Sequence, residues 1–243
     1  MPTMPTADVP PGLAARALVE PKHPMESGAP GPSPADWIER FDSIYRDAAG
    51  DVDRVPWAHR QPCPALVTWL NTEAPLLVRC GARAAVVGCG LGMDACLLRE
   101  RGYDVVAFDA SPSAIDWARR IHPDDADMFQ VADVLDLPSR LRHRFDLVVE
   151  VHTLQSLPVA FRGELARGIA TMLSHRGVVV AVARGRDPSV PPETLDGPPF
   201  PLTAGELGLV MEEAGLSLVR PVDDYTDDHT PPVRRLRGVF RRA

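Results

Sequence analysis

One stretch constrains what this chain can fold into more than any other: Ala84-Ala85-Val86-Val87-Gly88-Cys89-Gly90-Leu91-Gly92-Met93-Asp94. Its four leading apolar residues leave no polar face, so they predict a parallel strand covered on both sides. Three glycines on alternate positions then predict a tight strand-to-helix turn, where backbone approaches a ligand and a Cβ would collide. Ala95 keeps the helix start slim, Leu97 and Leu98 followed by Arg99-Glu100-Arg101 make it amphipathic, and Gly102 is placed to stop it. The first N–H groups of such a helix have no intrahelical partners and converge on the turn. The next apolar run, Asp104-Val105-Val106-Ala107-Phe108-Asp109, ends on a carboxylate 17 residues beyond Gly92, close to the spacing of ~20 at which an acid grips a ribose. Turn and acid together predict a nucleoside-bearing ligand; the competing reading is an ordinary βαβ turn that binds nothing.

A dinucleotide turn, G-x-G-x-x-G, needs glycine at position 93, which is Met93, and Asp94 follows at once. An acid there repels a pyrophosphate. It tolerates S-adenosylmethionine, which has an ammonium and no phosphate. Gly88-Cys89-Gly90-Leu91-Gly92 resembles the glycine turn of the class I S-adenosylmethionine-dependent methyltransferases. Asp109-Ala110-Ser111-Pro112 resembles their second motif, Phe129-Gln130-Val131-Ala132-Asp133-Val134 their third, and Phe145-Asp146-Leu147-Val148-Val149-Glu150-Val151-His152 their fourth strand. The resemblance runs from about Ala84 to Ala183. It implies an α/β fold: a Rossmann-like, seven-stranded, mostly parallel sheet with helices on both faces and the last strand antiparallel. It also implies S-adenosyl-L-methionine as cofactor, with Asp109 on the ribose hydroxyls and Asp133 on the adenine amino group. The expected cofactor contacts are Trp57, Gly88, Cys89, Gly90, Asp109, Ala110, Asp133, Val134 and Glu150.

A chain of 243 residues fits one such domain. Residues 1–32, rich in Pro, Ala and Gly, predict a disordered or loosely packed tail. Residues 33–80 predict a helical lid and 81–243 the core. A net charge of −7 argues against nucleic acid, which needs a basic face. The C-terminal Arg234, Arg235, Arg237, Arg241 and Arg242 are a local exception and are expected to flank a terminal strand. Cys63, Cys80, Cys89 and Cys96 form no C-x-x-C pair, so no metal or redox motif is predicted. With no signal-peptide pattern and no apolar run near ~20 residues, a cytoplasmic protein with reduced thiols is expected, monomer or homodimer, without membrane contact.

Along the lid, Ser33-Pro34-Ala35-Asp36 predicts a helix opening, and Trp37, Ile38, Phe41, Ile44 and Tyr45 share one side of the helix. A loop carrying Pro56-Trp57, His59 and Pro62 leads to a second helix from about Ala65, which Pro75 ends or kinks. This layout resembles the thiopurine S-methyltransferase-like, small-molecule branch, in which such segments cover cofactor and acceptor. In the core, a helix is predicted over Pro112–Ile121 with Ser111 as cap, then strands over Phe129–Val131 and Asp146–Val151. Further on come a helix over about Val159–Leu173, a strand over Gly177–Ala183 and a proline-rich loop from Asp187 to Pro201. Thr203 and Glu206 form a capping box, Gly215 ends that helix, and Ser217–Arg220 and Val233–Phe240 close the sheet.

Ligands of open α/β sheets sit beyond the carboxyl ends of the strands. Glu150 and His152 fall there, on a shared face if the strand persists. His152 is the candidate catalytic residue, able to accept a proton from the acceptor; the alternative is a histidine hydrogen-bonded within a loop. A sulfonium methyl needs only an aligned nucleophile and exclusion of water. The absence of an obvious base therefore favours a thiol or other heteroatom of a small molecule. The chain lacks the Asn/Asp-Pro-Pro-aromatic loop suited to nucleic-acid amines. Two rivals stand beside this reading: a nicotinamide-dependent oxidoreductase, for which no Tyr-Lys pair stands out and Lys22 is the only lysine, and a non-catalytic S-adenosylmethionine-binding module.

Overall fold

The computed structural model describes residues 31–228 and 231–243. The expected tail therefore lies almost wholly outside the described residues. Helix α1 (Pro34–Ala48) opens where predicted and closes a capping box there, Ser33 accepting from the Asp36 N–H while Asp36 takes the Ser33 N–H. A short 3₁₀ turn, Val52–Arg54, and an irregular loop lead to α2 (Pro64–Thr72) and α3 (Ala74–Leu77). Pro75 sits in the first turn of α3, where its missing N–H breaks no helical bond.

The core alternates as read: β1 (Arg83–Val87), α4 (Met93–Glu100), β2 (Asp104–Asp109), α5 (Pro112–Ile121), β3 (Phe129–Val131), β4 (Phe145–Val151), α6 (Arg162–Met172) and β5 (Leu173–Arg184). Then come α7 (Ala204–Glu213), β6 (Leu216–Leu218), β7 (Asp223–Thr226) and β8 (Arg234–Arg242). The strands form one sheet in the order β3-β2-β1-β4-β5-β8-β6, with β7 on β8 as well. Strands β1 to β5 pair in parallel, and β8 runs antiparallel to each neighbour.

The sheet has eight strands, one more than the resemblance implies. The extra one is β7. It shares an edge of β8 with β6, pairing along Arg234–Arg237 while β6 pairs along Phe240–Arg242. Its sequence, Asp223-Asp224-Tyr225-Thr226, is polar and mostly exposed, so no apolar alternation announces it. Charge holds it instead: Asp223 pairs with Arg237 and Asp224 with Arg234. Arg242 donates to the carbonyls of Ala170 and Leu173, so the C-terminal arginines, expected to flank a terminal strand, lie within it, and several of them brace it.

Two apolar layers sandwich the sheet. One packs Leu66 and Trp69 of α2, Leu98 of α4 and Ile115 of α5 against Val86, Val149, Val182 and Val239. The other packs Trp37 of α1, Ile169 of α6 and Met211 of α7 against Val87, Phe108, Val148 and Phe240. A third, smaller cluster joins Tyr45 and Ala48 of α1 to Leu91 of the glycine turn and Trp117 of α5. Through it the lid helix is seated directly over the carboxyl edge of the sheet.

Candidate active site

The sheet order reverses between β1 and β4, the position where ligands of doubly wound sheets collect. Register places Val87 beside Phe108 on one side and Glu150 on the other, with Asp109 opposite Val131. Gly88, Asp109, Asp133 and Glu150 thus leave four neighbouring strands at one edge.

Gly88, Gly90 and Gly92 have φ of +59°, +50° and +86°, a region other residues enter at a cost. Two of them are also required by close approach. A Cβ on Gly88 would lie 2.5 Å from Thr153 Oγ1, and one on Gly92 2.5 Å from the Phe129 ring. Thr153 Oγ1 donates to the Val87 carbonyl at 3.0 Å, clamping the exit of β4 to that of β1. Asp109 accepts from the Gly90 N–H and the Ser111 N–H, both at 2.9 Å. It therefore ties the glycine turn to the start of α5, and burial raises its pKa above the usual carboxylate range.

The lid closes on this turn through aromatic rings. Trp57 Nε1 donates to Tyr45 Oη at 2.8 Å, and Trp57 meets Phe41 and Tyr45 edge-on at 5.4 and 5.8 Å between centroids. The Tyr45 hydroxyl sits 3.0 Å from where a Cβ of Gly90 would stand. Trp37 continues the row from Phe41 to Phe200 of the proline-rich loop. Polar ties reinforce the seating. Asp42 of α1 is buried and accepts from Ser111 Oγ at 2.7 Å and the Ser113 N–H at 2.9 Å. Asp94, in the first turn of α4, accepts from the Cys63 N–H at 2.7 Å.

Glu150 is fully buried. Its Oε1 accepts from the Leu154 N–H at 2.9 Å, while Oε2 has no partner, and burial pushes its pKa up to about 7. The shared face expected for Glu150 and His152 is not formed. Strand β4 ends at Val151, and His152 turns away with φ +68°. Its Nε2 lies 3.5 Å from Arg235 Nη1 of β8, and its Nδ1 is buried without a partner. Burial first, then the charges of Arg235, His59 and Arg184, lower its pKa to about 3. His152 is therefore a neutral imidazole at neutral pH. Asp133 is half-buried and accepts from the Leu135 N–H at 2.9 Å, with Val134 buried beside it.

Sequence reasoning misses Asp42, Thr153 and Arg235. Asp42 leaves one trace, an acid beside the apolar stripe of α1. Tyr45 shows in the sequence only as a packing residue of that stripe.

The site suits S-adenosylmethionine. Asp109 offers a carboxylate to hydroxyls, Glu150 has an unanswered oxygen, and a pyrophosphate would meet Asp94 at the turn that should welcome it. A family described as a methyltransferase domain matches residues 85–181, from β1 through most of β5. A 2-heptyl-1-hydroxyquinolin-4(1H)-one methyltransferase of Mycobacteroides abscessus is 25% identical over 179 residues, covering 72% of this chain and 75% of that one. A thiopurine S-methyltransferase of Shewanella sp. strain ANA-3 is 25% identical over 153 residues, covering 56% and 66%. The structure of 1,6-didemethyltoxoflavin-N1-methyltransferase of Burkholderia thailandensis, with its substrate and S-adenosylhomocysteine, superposes with a TM-score of 0.65 at 19% identity, covering 88% and 92%. That last likeness carries the fold alone. Among the described residues no helix is long and apolar enough to cross a membrane. The matched domain, with the glycine turn and the carboxyl edge it shapes, makes this chain an S-adenosylmethionine-dependent methyltransferase on a Rossmann-like fold.

Proposed function

We propose that the chain methylates a planar small molecule at a thiol or another heteroatom, in the manner of the thiopurine S-methyltransferase-like branch. The observation that carries this reading is the aromatic row Phe200–Trp37–Phe41–Trp57–Tyr45 lying over the carboxyl edge. Flat rings stack on aromatic faces and edges, and a lid of this kind excludes water from the reacting atoms. The acceptors for which the relatives are named, a hydroxyquinolinone, a thiopurine and a didemethyltoxoflavin, are all compatible with contact against such a row.

Bound S-adenosylmethionine supplies a methyl group already activated on a sulfonium. The chain's own residues have three tasks. Asp109 and Asp133 hold the nucleoside end, Asp109 through its carboxylate on the ribose and Asp133 on the adenine amino group. Gly88, Cys89 and Gly90, with Ala110 and Val134 alongside, shape the backbone bed, while Trp57 and Glu150 bound it from the lid and from β4. His152 faces the acceptor. With a conjugate acid at about 3 it offers a lone pair rather than a lasting home for a proton. That suits a nucleophile that ionises unaided, such as a thiol with pKa ~8.5, better than an alcohol.

The experiment is calorimetric titration of the protein with S-adenosylmethionine and with NAD, followed by assay of S-adenosylhomocysteine release over a panel of aromatic thiols and phenols. Binding of the first ligand alone and release with thiols are expected. Asp109→Ala is expected to weaken donor affinity by about 10- to 100-fold, since charge-assisted hydrogen bonds contribute roughly 1.5–3 kcal/mol. Donor binding without turnover of any thiol or phenol would favour a binding module instead.

A further inference from the structure

We propose that the acceptor carries a carboxylate, and that Arg184 and Arg235, opposed across β5 and β8, receive it beside His152. This inference rests on the methyl-transfer reading and names its substrate class.

Arg184 and Arg235 are direct partners in the antiparallel register of β5 and β8, so their side chains rise from one face. Val182, two residues back along β5, and Val239, four residues on along β8, share that face and pack in the layer of α2, which fixes it as the one bearing Cys63 and the lid loop. Like charges directly opposite one another destabilise a sheet. Here the pair stands at the carboxyl end of β5, where ligands of this architecture sit. Arg235 is partly neutralised: its Nε bonds Asp227 at 2.7 Å while its Nη1 points at His152. Asp94, another carboxylate of the neighbourhood, accepts from the Cys63 N–H. Arg184 is exposed and, among the described residues, forms no ion pair.

The backbone around Arg184 is held firmly. Its N–H donates to the side-chain oxygen of Gln155, a buried residue whose carbonyl accepts from the Phe200 N–H at 2.7 Å. The His152 N–H donates to the Val182 carbonyl at 2.8 Å, which keeps the imidazole in step with the same strand. Its Nδ1 is buried and unanswered. An uncharged acceptor would leave this repulsive pair and this orphaned nitrogen as they are. A carboxylate fits a planar guanidinium fork through two parallel hydrogen bonds and relieves the repulsion between the two arginines.

The test uses the full chain with S-adenosylmethionine and three matched pairs of probes: 2-, 3- and 4-mercaptobenzoate against the corresponding methylbenzenethiols, read by S-adenosylhomocysteine release. For the best isomer, kcat/KM is expected to favour the carboxylated probe at least tenfold. In Arg184→Met that ratio collapses to within about threefold of one. The loss sits in KM rather than kcat, and Arg184→Lys recovers part of it. Affinity for S-adenosylhomocysteine, titrated in parallel, moves less than twofold. A ratio near one in the unaltered protein, or a ratio that survives both Arg184→Met and Arg235→Met, overturns the proposal. So does a loss confined to S-adenosylhomocysteine affinity, which would assign the arginines to the donor's own carboxylate. If no probe is turned over, titration of the mercaptobenzoates into the S-adenosylhomocysteine complex decides: binding abolished by Arg184→Met supports the assignment, and no binding refutes it. Failure of S-adenosylmethionine to bind at all would instead remove the methyl-transfer reading itself.

Discussion

The two halves of the carboxyl edge are built by different means. On the donor half, at the ends of β1, β2 and β3, the shape is made by backbone: three glycines at positive φ and a carboxylate that takes two N–H groups. On the proposed acceptor half, past the end of β4 and at the paired ends of β5 and β8, it is made by side chains: a neutral histidine and two opposed arginines. The donor half answers to one unvarying molecule, so close backbone approach can be used throughout. The acceptor half carries the groups proposed to select a substrate, and those groups are charged, strained or without partners.

The largest effect that would break this contrast concerns Gly92. A Cβ there meets the ring of Phe129, which is almost wholly buried, at 2.5 Å, on a backbone with φ +86°. Left-handed strain of roughly 1–2 kcal/mol and overpacking of roughly 1–3 kcal/mol add up, so Gly92→Ala is expected to lose about 2–5 kcal/mol in urea unfolding. Gly102 has a similar φ of +83° with nothing within 4 Å of its Cβ position. Gly102→Ala therefore reports the strain alone and loses about 1–2 kcal/mol. Equal losses at both positions would mean that the turn is set by φ and not by close approach.

A smaller effect lies where the halves meet under α1. Asp42 accepts from Ser111 Oγ and the Ser113 N–H at the start of α5, acting as a helix cap supplied from another helix. Burial works against its charge, but the bonds from Ser111 and Ser113 and the charge of Arg46 hold its pKa below the usual carboxylate range. Its contribution is thus present above the unfolded pKa of ~3.9 and is lost as pH falls through the lower folded value. Asp42→Ala is expected to cost about 1–2 kcal/mol at pH 7. The melting temperatures of the two proteins should converge on acidification. A gap that persists at low pH would mean that packing, not the cap, seats the lid.

The same contrast explains what can be read from the sequence. The glycine turn, the Ser111 cap, α5 and β3 lie within residues Ala84–Val131, and local rules place each of them. Strand β7 is illegible because its pairing rests on Arg234 and Arg237, contributed by β8. The divergence of Glu150 and His152 is illegible because a strand pattern says nothing of the residue at which pleating stops. Arg235 beside His152 joins positions 83 residues apart, a separation at which spacing along the chain carries no signal.

The smallest effect tests the boundary between the two halves. Glu150 has a folded pKa of about 7 against an ordinary 4.5. Between those values the unfolded chain is ionised while the folded one still holds its proton, so the native state binds more protons and stability falls as pH rises through the window. Above pH 7 the buried group carries its charge at full cost. Glu150→Gln keeps an oxygen for the Leu154 N–H and removes the charge. The variant should match the unaltered protein near pH 4.5 and exceed it by about 1 kcal/mol or more at pH 8, read by urea unfolding without ligand. Saturating S-adenosylmethionine should narrow the advantage at pH 8, because the ammonium of the donor stabilises the ionised carboxylate if Glu150 bounds its amino-acid end. An advantage at pH 8 that the donor leaves untouched would move Glu150 from the donor's surroundings to the acceptor's.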